Sequence, residues 1–219
     1  MPYKIRKLIK TVKEAWYDFL FRKKFPETHH IIEKIKGGGA YNVGNAKYLE
    51  LFRLLNKFRP KSVLELGGGG STAVFAMYAK ENNIKIDSVD QREEWLNNTK
   101  TALDGLSKFV NFILLPAKFD RGSAITKGFY DGLENKYYDF VYVDGPSFPY
   151  EDKKKAVYWN VVDLIKSAPP RFIVVDGRYS TVSYIAASYR HIYDCYANLS
   201  LSLLSLSYGA HSVFVRAKE

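Results

Sequence analysis

Residues 61–72 read Lys61-Ser-Val-Leu-Glu-Leu-Gly-Gly-Gly-Gly-Ser-Thr72, and this stretch decides the fold class. A short apolar strand, Val63 to Leu66, runs into four glycines, and a helical pattern from Thr72 to Lys80 follows. Glycines let the backbone turn sharply and approach a ligand where a Cβ would clash. The N-terminus of the next helix offers unpaired N–H groups to a polar or anionic ligand. The stretch therefore predicts a nucleotide-binding turn in a doubly wound α/β sheet.

Acidic residues on either side of the glycines refine the type of ligand. A second predicted strand, Ile84 to Val89, ends at Asp90, and an acidic side chain there can accept both hydroxyls of a ribose. Glu65 stands two positions before Gly67, where it would repel a diphosphate but suit an ammonium or a sulfonium. Thr72 stands where the dinucleotide fingerprint needs a third small residue. These residues predict an adenosine-type cofactor without a diphosphate.

Three segments in this order resemble motifs of one enzyme family. Glu65-Leu-Gly-Gly-Gly-Gly-Ser71 resembles motif I of the class I S-adenosylmethionine-dependent methyltransferases, and Ser88-Val-Asp90 resembles their second acidic motif. Tyr138-Asp-Phe-Val-Tyr-Val-Asp144-Gly-Pro146 resembles their fourth strand with its acidic residue at the catalytic edge. The resemblance implies a Rossmann-like, doubly wound, mainly parallel seven-stranded sheet of the α/β class, with a C-terminal antiparallel β-hairpin. It also implies S-adenosylmethionine as the cofactor.

The resemblance assigns roles around the cofactor. The glycine turn would pass under its methionine part, Glu65 would steer its amine, and Asp90 would hold its ribose. Gln91 or Trp95 could flank the adenine, although a helix-core position is the favoured alternative for Trp95. The predicted cofactor contacts are Glu65, Gly67, Gly68, Gly69, Ser71, Asp90 and Gln91.

Asp144 and Asp176 are the predicted catalytic pair. Each follows an apolar strand and precedes a glycine, and ligands in such sheets lie beyond the carboxyl ends of the strands. One alternative is that both carboxylates coordinate Mg²⁺, as in metal-dependent O-methyltransferases that the chain resembles. A third metal ligand beside Asp176 is missing, because its neighbours are Val175 and Gly177. We therefore favour Asp144 as a metal-free base or substrate-orienting group, and the remaining alternative is that both residues only cap turns.

The acceptor is predicted from the segment after the fourth strand. Asp144-Gly-Pro-Ser-Phe-Pro149 stands where enzymes that methylate nucleobase amines carry an Asn-Pro-Pro-Tyr-type motif. We therefore expect a hydroxyl or carboxyl group on a small molecule or glycan, and we do not expect nucleic acid. Position alone suggests the substrate contacts Tyr41, Asn42, Ser147, Arg178 and Tyr179.

The basic charge is concentrated at the N-terminus. The chain has 219 residues and a formal net charge of +10, and residues 1–36 hold ten Lys/Arg against four Asp/Glu. Helical spacing places apolar residues of this segment on one face: Ile5, Leu8, Ile9, Val12, Trp16, Phe19 and Leu20. We expect a basic amphipathic extension at 1–36 and a methyltransferase domain at 37–219. The extension either packs on its own domain or on a second subunit, which we favour, or binds an anionic membrane surface through residues 1–24.

Apolar stretches and cysteine content indicate where in the cell the protein is expected. No apolar stretch reaches the roughly 18 residues that span a bilayer, and the single cysteine, Cys195, reads as a buried thiol in a reducing compartment. We expect a cytoplasmic protein, peripheral at the inner membrane face if the basic helix binds lipid. Two alternative functions are aminopropyl transfer and a catalytically silent adaptor with a cofactor fold.

Periodicity predicts strands and helices along the whole chain, and residues 116–138 are less regular. The predicted helices are 45–58, 72–82, 92–106, 151–167 and 179–189, and the predicted strands are 62–66, 84–89, 110–115, 139–143 and 171–175. Two β-rich segments, 191–202 and 212–216, predict a closing antiparallel pair.

Overall fold

The structure is a computed structural model that describes residues 3–37, 45–121, 125–148, 156–197 and 211–217, with side chains in the first helix at Val12 and from Ala15 onward. The predicted substrate residues Tyr41 and Asn42, and the predicted turn before the last strand, lie outside these ranges. Within them, no helix combines the length and the apolar character needed to cross a membrane.

Helices cover both faces of a central sheet. The strands are β1 (Val63–Leu66), β2 (Ile86–Asp90), β3 (Val110–Leu114), β4 (Ala117–Asp120), β5 (Lys127–Tyr130), β6 (Phe140–Val143), β7 (Val157–Tyr158), β8 (Phe172–Val175), β9 (Tyr193–Ala197) and β10 (Ser212–Arg216). The helices are α1 (Tyr3–Lys24), α2 (Pro26–Gly37), α3 (Asn45–Phe58), α4 (Gly70–Asn82), α5 (Glu93–Leu103), α6 (Trp159–Ser167) and α7 (Tyr179–Ser188). A 3₁₀ helix, Asp104–Phe109, joins α5 to β3.

The central sheet has seven strands in the order β3-β2-β1-β6-β8-β10-β9. Strands β3, β2, β1, β6 and β8 run parallel, and β10 runs antiparallel to both of its neighbours. Strands β6 and β8 are apolar along their whole length and β1 is apolar except at Glu65, as expected for parallel strands that are buried on both faces. The predicted α/β class, the mainly parallel sheet and the closing antiparallel pair are confirmed.

A second, three-stranded sheet was not predicted. It has the order β4-β5-β7, with β4 and β5 antiparallel and β5 and β7 parallel. It occupies part of the irregular segment 116–138 and replaces part of the predicted helix 151–167. Val157 and Tyr158 form a strand rather than a helical turn because they pair with Lys127 and Gly128. A β-branched and an aromatic residue suit this pairing, and periodicity alone cannot reveal it.

The first two helices belong to the main core. Phe21 of α1 and Ile32 and Ile35 of α2 are fully buried in the same cluster as α3, α4 and one face of the sheet. The segment predicted as an extension, residues 1–36, therefore contributes to the apolar core of the domain. The boundary at residue 36 stays a prediction.

The prediction of a buried cysteine is wrong. Cys195 is exposed on β9, which is the last strand in the sheet order and, among the residues that the structure describes, pairs only with β10. On an edge strand one face can remain uncovered, so an apolar sequence neighbourhood does not ensure burial. Tyr193 on the same strand is buried against Phe214 of β10.

Candidate active site

A cavity of about 290 Å³ opens at the carboxyl ends of β1, β2, β6 and β8. It brings together most of the predicted site residues, because parallel strands end at one edge of the sheet. The lining residues are Lys47, Tyr48, Gly67, Gly68, Gly69, Gly70, Ser71, Asp90, Arg92, Trp95, Tyr142, Asp144, Ser147, Asp176, Gly177 and Arg178. Three predicted residues of the described ranges are not among these lining residues: Glu65, Gln91 and Tyr179. Glu65 lies beneath the glycine turn, and Tyr179 is 77 % exposed at the start of α7.

The glycine turn passes directly over the segment that follows β6. Gly67 has a φ of +96°, and a Cβ at this position would lie 2.5 Å from the amide nitrogen of Gly145. Any side chain at residue 67 would therefore push the two loops apart, and the left-handed conformation itself favours glycine. Glycine at both positions therefore allows the two loops to pack directly against each other.

Glu65 holds the turn from below. Its side chain is fully buried, and one carboxylate oxygen accepts a hydrogen bond from Ser71 Oγ at 2.6 Å. The other oxygen accepts from Thr72 Oγ1 at 2.7 Å and from Ser88 Oγ at 2.6 Å. Thr72 Oγ1 in turn accepts from the Gly69 amide at 2.8 Å, so the carboxylate, the turn and the first turn of α4 form one network.

The position of Glu65 perturbs its ionisation. Burial raises the pKa of its carboxyl to about 7, against hydrogen bonds from Ser71, Ser88 and Thr72 that lower it. A neighbouring cation at the cavity floor would favour the ionised form. In this arrangement Glu65 can influence a bound cofactor through Ser71, which lines the cavity, rather than by direct contact.

Asp90 and Trp95 form one end of the cavity. Asp90 is 5 % exposed at the end of β2, and its Oδ1 accepts from the Arg92 amide at 3.0 Å. Burial raises the pKa of this carboxyl, against the Arg92 charge and backbone amides that lower it. Trp95 Nε1 donates to the Gly68 carbonyl at 2.7 Å, and the Arg92 guanidinium lies 4.6 Å from the Trp95 ring centroid. The favoured core position for Trp95 is wrong, since its ring lines the cavity wall.

Gln91 links two loops at the mouth of the cavity. Its side-chain amide donates to the Ser147 carbonyl at 2.9 Å and accepts from the Ser147 amide at 3.0 Å. This paired contact joins the loop after β2 to the loop after β6. The structure therefore gives Gln91 a loop-joining contact, and its predicted contact with the cofactor stays a prediction.

Asp144 and Arg178 pair at the opposite end. The Arg178 guanidinium donates to the Asp144 Oδ1 at 2.6 Å, and the same Nη2 group donates to the Asp144 backbone carbonyl. The Arg178 side chain is 8 % exposed, whereas that of Asp144 is 36 % exposed. The arginine therefore fixes the carboxylate while leaving part of it open to the cavity.

Asp176 belongs to a buried polar chain. Its Oδ2 accepts from the Lys47 ammonium and from the Tyr142 hydroxyl, the latter at 3.2 Å. The Tyr142 hydroxyl lies 3.2 Å from Nε2 of the fully buried His211, and His211 Nδ1 lies 3.1 Å from Glu50 Oε2. Burial raises the pKa of Asp176, but Lys47, His211 and Arg178 lower it more, so its pKa lies below the usual value. Asp176 is therefore held ionised beside the cavity.

Solved structures of methyltransferases have a similar fold. The chain matches an O-methyltransferase from Bacillus cereus in complex with SAH at TM-score 0.60 and 14 % identity, covering 92 % of this chain and 96 % of that one. It matches the O-methyltransferase TomG from Streptomyces achromogenes, involved in tomaymycin synthesis and solved with SAM, at TM-score 0.56 and 13 % identity, covering 92 % and 96 %. A methyltransferase from Geobacter sulfurreducens matches at TM-score 0.60 and 12 % identity, covering 95 % and 96 %.

The chain has the class I methyltransferase fold. The predicted resemblance is confirmed at this level, because these matches extend over nearly the whole of each chain. No protein-family model matches the sequence, and no curated protein matches it.

The glycine turn of this methyltransferase fold fits the cofactor that the fold implies. Gly67, Gly68 and Gly69 line the cavity with backbone alone, and the first turn of α4 begins at Gly70 directly after them. Asp90 stands at the end of the neighbouring strand β2. Close backbone approach, a helix N-terminus and an acidic residue at this spacing suit a nucleoside carrying a polar amino-acid part.

The predicted Mg²⁺ site fits less well. Asp144 is paired with Arg178, and Asp176 with Lys47, so each carboxylate already faces a cationic side chain. A divalent cation between them would stand beside two fixed positive charges. Over the described ranges, no three His, Cys, Asp or Glu side chains come together as metal ligands. Asp144 and Asp176, each paired with a cation, therefore do not suit Mg²⁺, which prefers several free oxygen ligands.

Two cavity residues were missed because they come from a helix that precedes the glycine turn. Lys47 and Tyr48 lie in the first turn of α3, which was predicted only as a helix, 45–58, without a role in the site. Burial, with the nearby Asp144 and Asp176 charges, raises the pKa of Tyr48 far above its usual value, so its hydroxyl stays a hydrogen-bond donor. Tyr142 was also missed. Its hydroxyl, inside the otherwise apolar strand β6, is a local signal of a polar contact near the site. Nothing local pointed to Lys47.

Proposed function

We propose that the chain transfers a methyl group from S-adenosylmethionine to an oxygen atom of a small-molecule or glycan acceptor, without a metal ion. The observation that carries this proposal is one cavity with two chemically distinct ends. The glycine turn and Asp90 lie at one end, and Asp144 with Lys47, Asp176 and Arg178 lies at the other. Such a cavity can hold a nucleoside cofactor and an acceptor side by side.

The cofactor would be held mainly by backbone groups. Gly67 to Gly69 would lie under the methionine part, Asp90 would accept the ribose hydroxyls, and Trp95 would border the adenine. Ser71, held by Glu65, would face the amino-acid end. When bound, S-adenosylmethionine supplies a methyl group on a sulfonium. Transfer to a hydroxyl leaves S-adenosylhomocysteine and one proton, and transfer to a carboxylate leaves S-adenosylhomocysteine alone.

With a hydroxyl acceptor, the protein must also remove the proton of that hydroxyl. A hydroxyl acceptor would donate its hydrogen bond to Asp144, whose carboxylate is partly open to the cavity. As the oxygen forms its new bond to carbon, that proton would pass to Asp144 and then to water. Lys47 would stabilise negative charge that develops on the oxygen. An acceptor carboxylate would need no base, and Arg178 and Lys47 would then orient it.

Proximity accounts for the rest of the rate. The sulfonium is already a strong electrophile, so aligning acceptor and methyl group supplies much of the acceleration. Arg178 would contribute by fixing Asp144, and Gln91 by keeping the two loops joined at the mouth. The charge that Mg²⁺ supplies in related enzymes would come here from Lys47 and Arg178.

The test is calorimetric titration of the full chain with S-adenosylmethionine and S-adenosylhomocysteine, with Mg²⁺ or with EDTA. We expect micromolar binding of both ligands, unchanged by EDTA. Release of S-adenosylhomocysteine on a panel of hydroxyl and carboxyl acceptors, again with and without EDTA, then tests transfer. Loss of transfer in EDTA that Mg²⁺ restores would overturn the metal-free part. Absence of binding would favour the adaptor alternative, and binding restricted to the decarboxylated cofactor would favour aminopropyl transfer.

A further inference from the structure

The outward-facing side of α1 carries three exposed apolar side chains that the fold does not explain. Val12, Trp16 and Phe19 are spaced by four and three residues, so they share one side of the helix, here called the outer face. Their exposed fractions are 62 %, 58 % and 53 %. The rings of Trp16 and Phe19 stack with centroids 5.8 Å apart. We propose that the outer face docks on an anionic lipid bilayer.

The rest of α1 is anchored, so the outer face is presented on a fixed helix. Phe21, two positions after Phe19 and therefore on the opposite side, is fully buried in the core. Asp18 accepts from Asn45 at the start of α3 and pairs with Arg22 at 2.8 Å. The carboxylate of Asp18 also lies 3.5 Å from Nε2 of His29 in α2. These contacts hold α1 against α2 and α3 without covering the outer face.

The outer face is part of the apolar side that was predicted to pack, and the structure divides that side in two. Periodicity placed Leu20 with Val12, Trp16 and Phe19 on one apolar face, and the favoured expectation was packing on the domain or on a second subunit. In the structure Leu20 and Tyr17 pack against the core, whereas the other three side chains face solvent. The helix therefore has two apolar sides, and only one of them has a partner in the described structure.

The positive charge of α1 indicates which kind of partner the outer face binds. The α1 sequence holds eight Lys/Arg and two Asp/Glu, a formal charge of +6 over residues 3–24. Lys23 follows Phe19 by four positions and so continues the outer face, and both Lys23 and Lys24 are exposed. A second copy of the chain would bring two such positive helices together, which like charges oppose. An anionic surface is the complementary partner.

Side-chain chemistry separates a bilayer from other anionic partners. Val12 and Phe19 offer no hydrogen bond to a phosphate or a base, so exposure of these side chains gives nucleic acid little to recognise. A bilayer accepts them, since an interfacial helix buries its apolar side at the headgroup boundary while its basic residues contact anionic headgroups. Trp16 suits this boundary because its ring is apolar and its N–H remains able to donate.

The test is co-sedimentation of the full chain with phosphatidylcholine vesicles that contain or lack phosphatidylglycerol. We expect binding to the anionic vesicles and at least about tenfold weaker binding to the neutral ones. The double variant Trp16→Ser/Phe19→Ser should lose about tenfold or more of the binding to anionic vesicles. Lys23→Glu/Lys24→Glu should lose most of the preference for anionic lipid. Tyr196→Ser, an exposed aromatic on β9, is the matched control and should bind like the unchanged chain.

The outcomes discriminate between occupants. Circular dichroism and binding of S-adenosylhomocysteine confirm that each variant is folded, and vesicle binding itself does not depend on the proposed methyl transfer. Equal vesicle binding by the unchanged chain and by Trp16→Ser/Phe19→Ser would overturn the proposal. A concentration-dependent dimer abolished by that double variant, without vesicle binding, would assign the outer face to a second copy. Binding of duplex oligonucleotide in place of vesicles would assign it to nucleic acid.

Discussion

One guanidinium nitrogen of Arg178 donates both to the carboxylate and to the backbone carbonyl of Asp144. The arginine is nearly buried, and the carboxylate is partly open to the cavity. The pair joins the ends of two neighbouring parallel strands, β6 and β8. A charge-assisted contact of this kind fixes a side chain more firmly than a surface ion pair does, because little water competes for it. Asp144 is thus oriented before any acceptor arrives.

Arg178→Lys tests this orientation. Lysine keeps the positive charge but has a shorter and more flexible side chain without the rigid guanidinium that places Nη2 between both acceptor atoms, so Asp144 should become mobile. We expect kcat to fall by roughly tenfold to a hundredfold, with the dissociation constant for S-adenosylmethionine changed by no more than about twofold. Arg171→Lys is the control, since Arg171 pairs with Asp139 at 3.6 Å outside the cavity lining. An unchanged kcat in Arg178→Lys would show that the pair does not position the base.

Asp90→Asn tests the ribose site. The substitution replaces one of the two acceptor oxygens by an NH2 donor and removes the charge, so we expect the dissociation constant for S-adenosylmethionine to rise by at least about tenfold in calorimetry. Asp87→Asn is a matched control on the same strand. Asp87 accepts from Tyr138 at 2.6 Å and pairs with Lys136 at 2.8 Å, outside the cavity lining. It should lower the melting temperature without changing the affinity. Equal affinity changes in both variants would contradict the assignment of Asp90.

Glu65→Gln tests the buried carboxyl under the turn. Burial raises the pKa of Glu65 from 4.5 to about 7, so the folded state retains a proton that the unfolded state releases. The contribution of Glu65 to the free energy of unfolding is therefore largest below pH 4.5, falls as the pH rises toward 7, and is constant above that. The fall amounts to about 3 kcal/mol at most.

Urea unfolding between pH 5 and pH 8 measures this effect, read as a difference between the two proteins at each pH. We expect Glu65→Gln to lack the fall, because glutamine does not titrate. Its stability relative to the unchanged chain should rise with pH over this window. A stability difference that is independent of pH would place the pKa of Glu65 outside the window.

Gly67→Ala tests the close approach of the two loops. The new Cβ would lie 2.5 Å from the Gly145 nitrogen, and a φ of +96° disfavours any side chain. We expect a loss of about 2–4 kcal/mol in the free energy of unfolding, together with weaker cofactor binding. Gly105→Ala is the matched control, because a Cβ there meets nothing within 4 Å. Comparable losses from the two substitutions would show that general helix or loop propensity, rather than the loop contact, is responsible.

The predicted parts of the site share a local cause. The left-handed glycine at residue 67 and the acidic residue at the end of β2 are properties of a few consecutive residues. Alternating apolar strands and helices then place all strand ends on one edge of the sheet. Asp90, Asp144 and Asp176 could therefore be predicted together without knowing any contact between them.

The missed parts depend on contacts between distant segments. Asp176 pairs with Lys47, which lies 129 positions earlier in the chain, and His211, directly before β10, reaches Tyr142 over 69 positions. The small sheet is equally non-local, since Val157 and Tyr158 become a strand only because β5 lies beside them. Periodicity carries no signal for such pairs.

The sequence by itself determined the class of the sheet, the glycine turn and the positions of three acidic residues, because backbone conformation and apolar periodicity are local properties. The tertiary structure decided how those residues are used. Packing of α3 over the strand ends brought Lys47 to Asp176, and the turn after β8 brought Arg178 to Asp144, so two candidate metal ligands became ion pairs. Packing also decided which side of α1 is buried and which faces solvent, because both sides are apolar enough to be covered.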